Sequence, residues 1–251
     1  MGPLEALAIL GAGLAAGTIN TIVGSGSLIT FPTLLAFGYS PVVANVSNTV
    51  GLVPGSISGA VGYRRELSGQ RGRAIRLGAA ALAGGVSGGL LLLLLPSSAF
   101  DRIVPFLLLL AVVLVIVQPR LSRAVAARSG GDGQDRFGAL YLTVFATAVY
   151  GGYFGAGQGV LLISLLAIFL SDALQRLNAL KNVLAALVNG VAAVLFIAVA
   201  PVAWPPAILL AIGSIVGGQV GAGIGRRLPP LVLRALIVVI GTSVAVKLLI
   251  G

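Results

Sequence analysis

Long apolar runs, separated by short polar connections, follow one another along the whole chain. The main runs are Leu4–Val23, Val42–Tyr63, Ala74–Leu95, Ile103–Val117, Phe137–Phe154, Ala179–Val199, Pro206–Gly225 and Leu231–Ile250. A helix needs about 20 apolar residues to cross a hydrocarbon core about 30 Å thick. Most of these runs are close to that length. The pattern therefore predicts an all-α polytopic membrane protein.

The chain also repeats itself at a fixed distance of 133 residues, without a gap. Identical residues recur at this distance, and Ser56 is matched by Asn189. The identical pairs are Gly24 and Gly157, Gly26 and Gly159, Asn45 and Asn178, Gly84 and Gly217, Gly85 and Gly218, Gly88 and Gly221, and Pro96 and Pro229. Such a duplication predicts two structural halves around a shared interface, which is where membrane carriers bind their substrates. We place the first repeat at residues 1–118, a cytoplasmic linker at 119–136 and the second repeat at 137–251.

Two shorter apolar segments occupy equivalent places in the halves, at Ser27–Phe37 and Val160–Leu170. Each follows a Gly-x-Gly sequence, Gly24-Ser25-Gly26 in the first half and Gly157-Gln158-Gly159 in the second. A helix of this length covers only about 16 Å. These segments are therefore predicted to be broken helices, which brings each half to about five transmembrane segments.

The arginines predict the topology. They concentrate in the connections Arg64–Arg76, Arg120–Arg136 and Arg226–Arg234, whereas Pro96–Arg102 and Ala200–Pro206 are nearly uncharged. Because cytoplasmic loops are enriched in Lys and Arg, the first three are placed inside and the other two outside. Equivalent loops of the two halves then face opposite sides. The halves are thus predicted to be inverted repeats, with both termini outside.

Composition narrows the function classes. The chain is 58% hydrophobic and 9% charged, with a net charge of +10 that the cytoplasmic loops explain without nucleic acid. It has no Cys and no His, and its six acidic residues lie in loops or at segment ends, so we expect no metal site, no cofactor and no enzyme activity. The start, Met1 to Glu5, lacks the basic region of a signal peptide, so the first run is expected to be a retained helix.

The candidate site consists of the glycine breaks and the polar residues that interrupt the apolar helices. Glycine-broken helices in membranes expose backbone N–H groups that attract anions, and intramembrane polar groups normally face a cavity or a partner helix. The alternative is that these residues only pack helices together. The candidate substrate-binding residues are Asn20, Thr21, Gly24, Ser25, Gly26, Asn45, Asn48, Thr49, Ser56, Gly157, Gln158, Gly159, Asn178, Lys181, Asn182 and Asn189.

Lys181 is the most specific of these candidates, because it is one of two lysines and lies inside an apolar run. A cation in that position is costly unless it meets an anion or reaches the interface along its flexible stem. Since no acidic residue accompanies it, a negatively charged ligand is one interpretation and extension to the interface is the other.

These motifs resemble the TauE/SafE family of sulfite and organosulfur-anion exporters. The resemblance rests on Gly17–Ser27, Phe31-Pro32, Ala44–Thr49 and Tyr153–Gly159, together with the Leu180-Lys181-Asn182 sequence, and it extends over essentially the whole chain. Membership implies export of small anions such as sulfite or sulfoacetate, with the repeat motifs lining the pathway.

The expected function is therefore that of a secondary transporter in the inner or plasma membrane. It would export sulfite, sulfoacetate or related organosulfur and carboxylate anions by alternating access, driven by the membrane potential or by exchange. An anion channel and a membrane scaffold without transport activity are the alternatives. The expected partners are the small anion and the lipid bilayer, without nucleic acid, and a homodimer is left open.

Overall fold

The computed structural model describes residues 1–126 and 136–224, with isolated positions in the C-terminal segment. These two ranges are helical and contain no strand. The helices are α1 (Pro3–Ile22), α2 (Ser27–Ala36), α3 (Pro41–Gly62), α4 (Arg71–Leu94), α5 (Ser97–Ala126), α6 (Arg136–Tyr153), α7 (Gln158–Phe169), α8 (Leu174–Val199) and α9 (Trp204–Ile224). The predicted run Leu231–Ile250 and the connection Arg226–Arg234 lie outside the two described ranges. The all-α prediction is confirmed for the residues described.

Within the described residues, five helices are long and apolar enough to cross a membrane: α1, α4, the Ser97–Val117 part of α5, α8 and α9. Helix α3 has 22 residues but carries several Asn and Ser side chains, which lower its mean hydropathy. Helices α2 and α7 have 10 and 12 residues and are too short to span. The multi-pass membrane character expected from the sequence is therefore confirmed.

The connection between α4 and α5 is shorter than predicted. Only Leu95 and Pro96 separate the helices, because α5 begins at Ser97 rather than at Ile103. Proline disfavours a helical conformation in the preceding residue, and Leu95 is extended, with φ −79° and ψ 145°. Helix α5 then continues to Ala126, into the range predicted as a linker.

Helix α9 packs between α1 and α3 and runs parallel to both. A Cβ at Gly13 would lie 2.8 Å from the Leu210 carbonyl oxygen, and one at Gly17 would lie 2.4 Å from the Ser214 carbonyl oxygen. On α3, a Cβ at Gly55 would also lie against Ser214. Small residues let these backbones approach closely, as in other membrane helix pairs.

Helix α4 makes the corresponding arrangement with α6 and α8. Gly84 lies against Phe145 and Gly88 lies against Val149, so α4 and α6 run parallel. Gly85 contacts Val188 on α8, and further along α4 Gly89 faces Ala192. The glycine ladders of α4 and α9 thus serve helix packing.

Helices α3 and α8 run in opposite directions. Tyr63, just after α3, packs with Ala179 near the start of α8. Ser47, near the start of α3, accepts a hydrogen bond from the N–H of Ala203, which follows α8. The ends of α1, α3 and α9 therefore lie with the starts of α4 and α8.

We call this side of the bundle the arginine end, because it carries Arg64, Arg65, Arg71, Arg73, Arg76 and Arg176. Two of these arginines are held by one carboxylate. Asp172 lies 2.8 Å from Nη1 of Arg73 and 2.9 Å from Nε of Arg176. The α3–α4 connection is also joined to α8, since Gln70 donates to the Arg176 carbonyl at 3.0 Å. These contacts tie the two halves together at the arginine end.

Candidate functional site

The first glycine break separates α1 from α2, as the sequence predicts. Helix α1 ends at Ile22 and α2 begins at Ser27. Gly24 lies between them with φ 91°, a left-handed conformation that residues with a Cβ rarely adopt. Gly26 packs against the carbonyl of Ala16 on α1, which shows that the chain reverses its direction at this break.

The second break lies slightly earlier than predicted. Helix α6 ends at Tyr153 and α7 already begins at Gln158, with Gly157 as its N-cap. Gly155 and Gly157 both have left-handed backbones, with φ 78° and 75°. Because the reversal is complete at Gly157, the residues Gln158 and Gly159 belong to the first turn of α7 instead of the break.

The first break touches the start of α7, directly after the second break. The backbone N–H of Gly159 donates to the carbonyl of Gly24 at 3.0 Å. A Cβ on Gly24 would lie 2.4 Å from the Cα of Gly159, and a Cβ on Gly159 would lie equally close to the Cα of Gly24. Glycine is therefore required on both sides, and the N-termini of α2 and α7 are brought near each other.

A pocket lies beside this crossing, with about 240 Å³ of empty space including its mouth. It gathers residues from α1, α3, α7 and α8. Its lining residues are Asn20, Thr21, Gly24, Ser56, Gly159, Lys181, Asn182 and Ala185. Apart from Ala185, each of them is among the residues that the sequence proposed. Ala185 carried no polar signal by which the sequence could have identified it.

The ammonium group of Lys181 forms the charged part of the pocket. Lys181 is fully buried, and its Nζ donates to the carbonyl oxygens of Asn20 at 2.9 Å and Thr21 at 3.3 Å. Carbonyls of the last helical turn lack partners within their helix and carry its negative dipole end. The end of α1 therefore holds this cation without a carboxylate. An ammonium has three N–H donors, so these two bonds leave one for the pocket.

Neighbouring amides of α8 hold the same end of α1. Asn178 and Asn182 donate to the Thr21 carbonyl at 3.1 Å and 3.3 Å. In the other half, Asn45 donates to the carbonyl of Tyr153, the last residue of α6, at 2.9 Å. Asn45 and Asn178 are repeat partners, so each half binds the end of the other half's first helix.

The second half has aromatic residues at the two positions equivalent to Asn20 and Thr21. The repeat partners of Asn20 and Thr21 are Tyr153 and Phe154. Phe154 packs edge-on against Phe31 with ring centroids 5.3 Å apart. At these two positions the second half therefore has aromatic rings where the first half has polar side chains that line the pocket.

Several predicted site residues lie outside the pocket. Asn48, the repeat partner of Lys181, accepts a hydrogen bond from the Thr30 hydroxyl, which joins α3 to α2. Thr49 is buried, and Gly26 donates from its N–H to the Asn20 side chain at 3.3 Å. Asn189 is half-buried and lies near Gly155.

Two further polar groups lie at the breaks without a partner among the described residues. They are the Ser25 hydroxyl and the Gln158 side-chain nitrogen, and their residues are only 1% and 2% exposed. The side-chain oxygens of Asn45 and Asn178 are buried and unpaired in the same way. Buried polar groups of folded proteins normally form hydrogen bonds, so these atoms have unused capacity to bind a polar solute. The arrangement is that of a small, polar, positively charged pocket.

Residues 9–248 match the family model described as Sulfite exporter TauE/SafE. The chain is 25% identical over 240 residues to the "Probable membrane transporter protein YfcA" of Escherichia coli K12, covering 94% of this chain and 86% of that protein. It is 26% identical to a "Probable membrane transporter protein" of Haemophilus influenzae, covering 98% and 95% of the two chains. A Sinorhizobium relative, "Probable membrane transporter protein ORF9", is 24% identical, covering 95% of this chain and 90% of the relative. No solved structure matches the chain significantly.

Proposed function

Because the chain belongs to the TauE/SafE sulfite exporter family, we propose that it exports small anions such as sulfite, sulfoacetate or related organosulfur and carboxylate anions. The observation that carries this proposal is the buried ammonium of Lys181 in a polar pocket. An anion entering the pocket would meet the remaining N–H of Lys181 and the amide of Asn182. Hydrogen bonds that involve a charged group are stronger than neutral ones, which favours anions over neutral solutes.

The short helices add to this electrostatic preference. The N-termini of α2 and α7 lie at the crossing of the breaks, and helix N-termini carry a partial positive charge. The unpaired hydroxyl of Ser25 and the amide nitrogen of Gln158 are further donors at these N-termini. They extend the proposed binding region from the pocket to the crossing.

We further propose that the halves are inverted repeats that work by alternating access. Helices α6 and α9 are the repeat partners of α1 and α4, and α6 pairs with α4 just as α1 pairs with α9. The repeat partners α3 and α8 run in opposite directions. Rocking of one half against the other would expose the pocket alternately to either side. The arginine end would be cytoplasmic and the N-terminus external, in the inner or plasma membrane.

The membrane potential would drive export, because an anion leaving an inside-negative cell gains about 2.3 kcal/mol per charge at 100 mV. Exchange for an external anion is the other mode of the same carrier. Neither mode requires a proton-carrying side chain in the pocket. An imposed inside-negative potential should therefore accelerate sulfite efflux from proteoliposomes that contain the protein.

The role of the pocket is tested by uptake of labelled sulfite into proteoliposomes, with Lys181→Gln and Asn182→Ala as pocket variants. Thr143→Ala serves as the control, because it removes a hydroxyl that donates to carbonyls of its own helix, α6, outside the pocket and the breaks. A hydrogen bond to a charged group contributes about 1.5–3 kcal/mol, so Lys181→Gln should weaken apparent affinity roughly 10-fold or more. Equal affinities in the wild type and both pocket variants would remove the pocket from the pathway.

The carrier and channel mechanisms are separated by counterflow. If the protein is a carrier, proteoliposomes loaded with unlabelled sulfite should transiently accumulate labelled sulfite. The reason is that a site that has released unlabelled sulfite outside can return inward with labelled sulfite bound. A channel would show no such stimulation and would give single-channel currents in planar bilayers. That result would refute alternating access while leaving the anion pathway intact.

A further inference from the structure

A second pocket lies at the arginine end, away from the site described above. It lies between the start of α4, the start of α6 and the end of α7, and its empty space is about 220 Å³ when the open mouth is included. Its lining combines two charged residues with four bulky, mainly apolar ones. These residues are Arg73, Arg76, Leu77, Leu140, Tyr141 and Leu170.

The two arginines of this pocket differ in their partners. Arg73 forms an ion pair with Asp172 at 2.8 Å, which neutralises much of its charge. Arg76 donates from Nε only to the carbonyl of Gly72, at 3.2 Å within its own helix. None of the ion pairs in residues 1–126 and 136–224 involves Arg76. Four of its five N–H donors are therefore available to an anion.

The apolar side of the pocket continues toward the hydrocarbon region. Leu77 lies on α4 about one turn beyond Arg73, and Leu140 lies on α6 one turn inside that helix. Both are buried, with Leu170 and other leucines, in one hydrophobic cluster. A group bound here would meet a guanidinium on one side of the pocket and leucine side chains on the other.

We propose that this pocket binds an anionic phospholipid, with the phosphate on Arg76 and the first part of an acyl chain against Leu77, Leu140 and Leu170. A phosphate matches the planar guanidinium through paired hydrogen bonds, and basic pockets between membrane helices on the cytoplasmic side bind such headgroups. The apolar floor distinguishes this site from one for a soluble anion. The proposal is independent of the transported substrate.

The test is lipid binding by the full chain in detergent, measured by native mass spectrometry during titration with phosphatidylglycerol or phosphatidylcholine. The wild type should retain phosphatidylglycerol in preference to phosphatidylcholine. Arg76→Gln should weaken phosphatidylglycerol binding about fivefold or more, since one basic residue near an anionic surface contributes roughly that factor. Arg64→Gln is the matched control, because it removes the same charge from the exposed α3–α4 connection.

Several outcomes would overturn the proposal. One is an equal loss in Arg76→Gln and Arg64→Gln, which would indicate attraction by the general surface charge. Displacement of the lipid by inorganic phosphate at equal concentration would indicate a site for soluble anions. Absence of any preference for phosphatidylglycerol would refute the site directly. If Arg76→Gln is not monodisperse, Arg76→Lys keeps the charge without the paired donors, and binding unchanged from the wild type would equally refute the site.

Discussion

The contact between Gly24 and Gly159 gives a sharp test of how the halves meet. An alanine at Gly24 would have to adopt φ 91° and would place its Cβ 2.4 Å from the Cα of Gly159. The left-handed backbone costs about 1–2 kcal/mol and the overpacked contact costs about 1–3 kcal/mol. The clash is with backbone on the opposite side, so no side-chain rotation can relieve it. Gly24→Ala should therefore lose about 2–5 kcal/mol of stability.

Substitutions at two further glycines distinguish the cost of the left-handed backbone from the cost of the overpacked contact. Gly157 shares the left-handed conformation, with φ 75°, but the nearest atom to its Cβ position is the Ala111 Cβ at 3.3 Å. Gly157→Ala should therefore cost mainly the backbone strain, about 1–2 kcal/mol. Gly11 is helical and has no atom within 4 Å of its Cβ position. Gly11→Ala should be neutral or stabilising by up to about 1 kcal/mol.

Thermal stability of the purified variants in one detergent measures this order. The fraction that remains monodisperse after heating should fall from Gly11→Ala through Gly157→Ala to Gly24→Ala. A Gly24→Ala protein as stable as Gly11→Ala would show that Gly24 and Gly159 do not touch. The proposed meeting of the α2 and α7 N-termini would then be wrong.

Two other contacts give predictions about stability. Burial opposes ionisation of Asp172, but the Ala173 N–H and the guanidinium groups of Arg73 and Arg176 outweigh it and lower its pKa. A lowered folded pKa stabilises the protein above the unfolded value, about 3.9, and this stabilisation is lost as pH falls through the folded pKa. Melting temperature should thus decrease below about pH 4 more in the wild type than in Asp172→Asn; parallel pH curves would contradict this. Asn45→Ala removes the side-chain donor to the Tyr153 carbonyl, at a cost of about 1–3 kcal/mol. Asn178→Ala should cost less in the same melting assay, because Lys181 and Asn182 still donate to Thr21; equal losses would count against these bonds.

The sequence located the chain breaks well, because their signals are local. Glycine is the residue that tolerates positive φ, and a short apolar segment cannot span a bilayer wherever it is placed. The predicted segment Ser27–Phe37 became α2 at Ser27–Ala36, while Val160–Leu170 became α7 at Gln158–Phe169. The predicted start of α7 was two residues too late, because the left-handed turn already begins at Gly155, before the Gly157-Gln158-Gly159 sequence.

The composition of the pocket was predicted less completely. Asn48 and Lys181 are repeat partners in equivalent helices, and the sequence proposed both as ligand contacts. Only Lys181 lines the pocket, whereas Asn48 is bonded to Thr30. Helical periodicity gives the face on which a side chain lies, but it does not give the partner that this face meets.

The sequence by itself determined that this is a helical membrane protein and where its helices are interrupted by glycine. Those properties depend on segment length, hydropathy and the conformational range of glycine, all of which are encoded within a few neighbouring residues. Only the tertiary structure decided that Lys181 meets Asn20, 161 residues away, and that Phe154 packs against Phe31. The physical reason is that a buried cation must be solvated by polar atoms, and long-range packing determines which carbonyls come within reach.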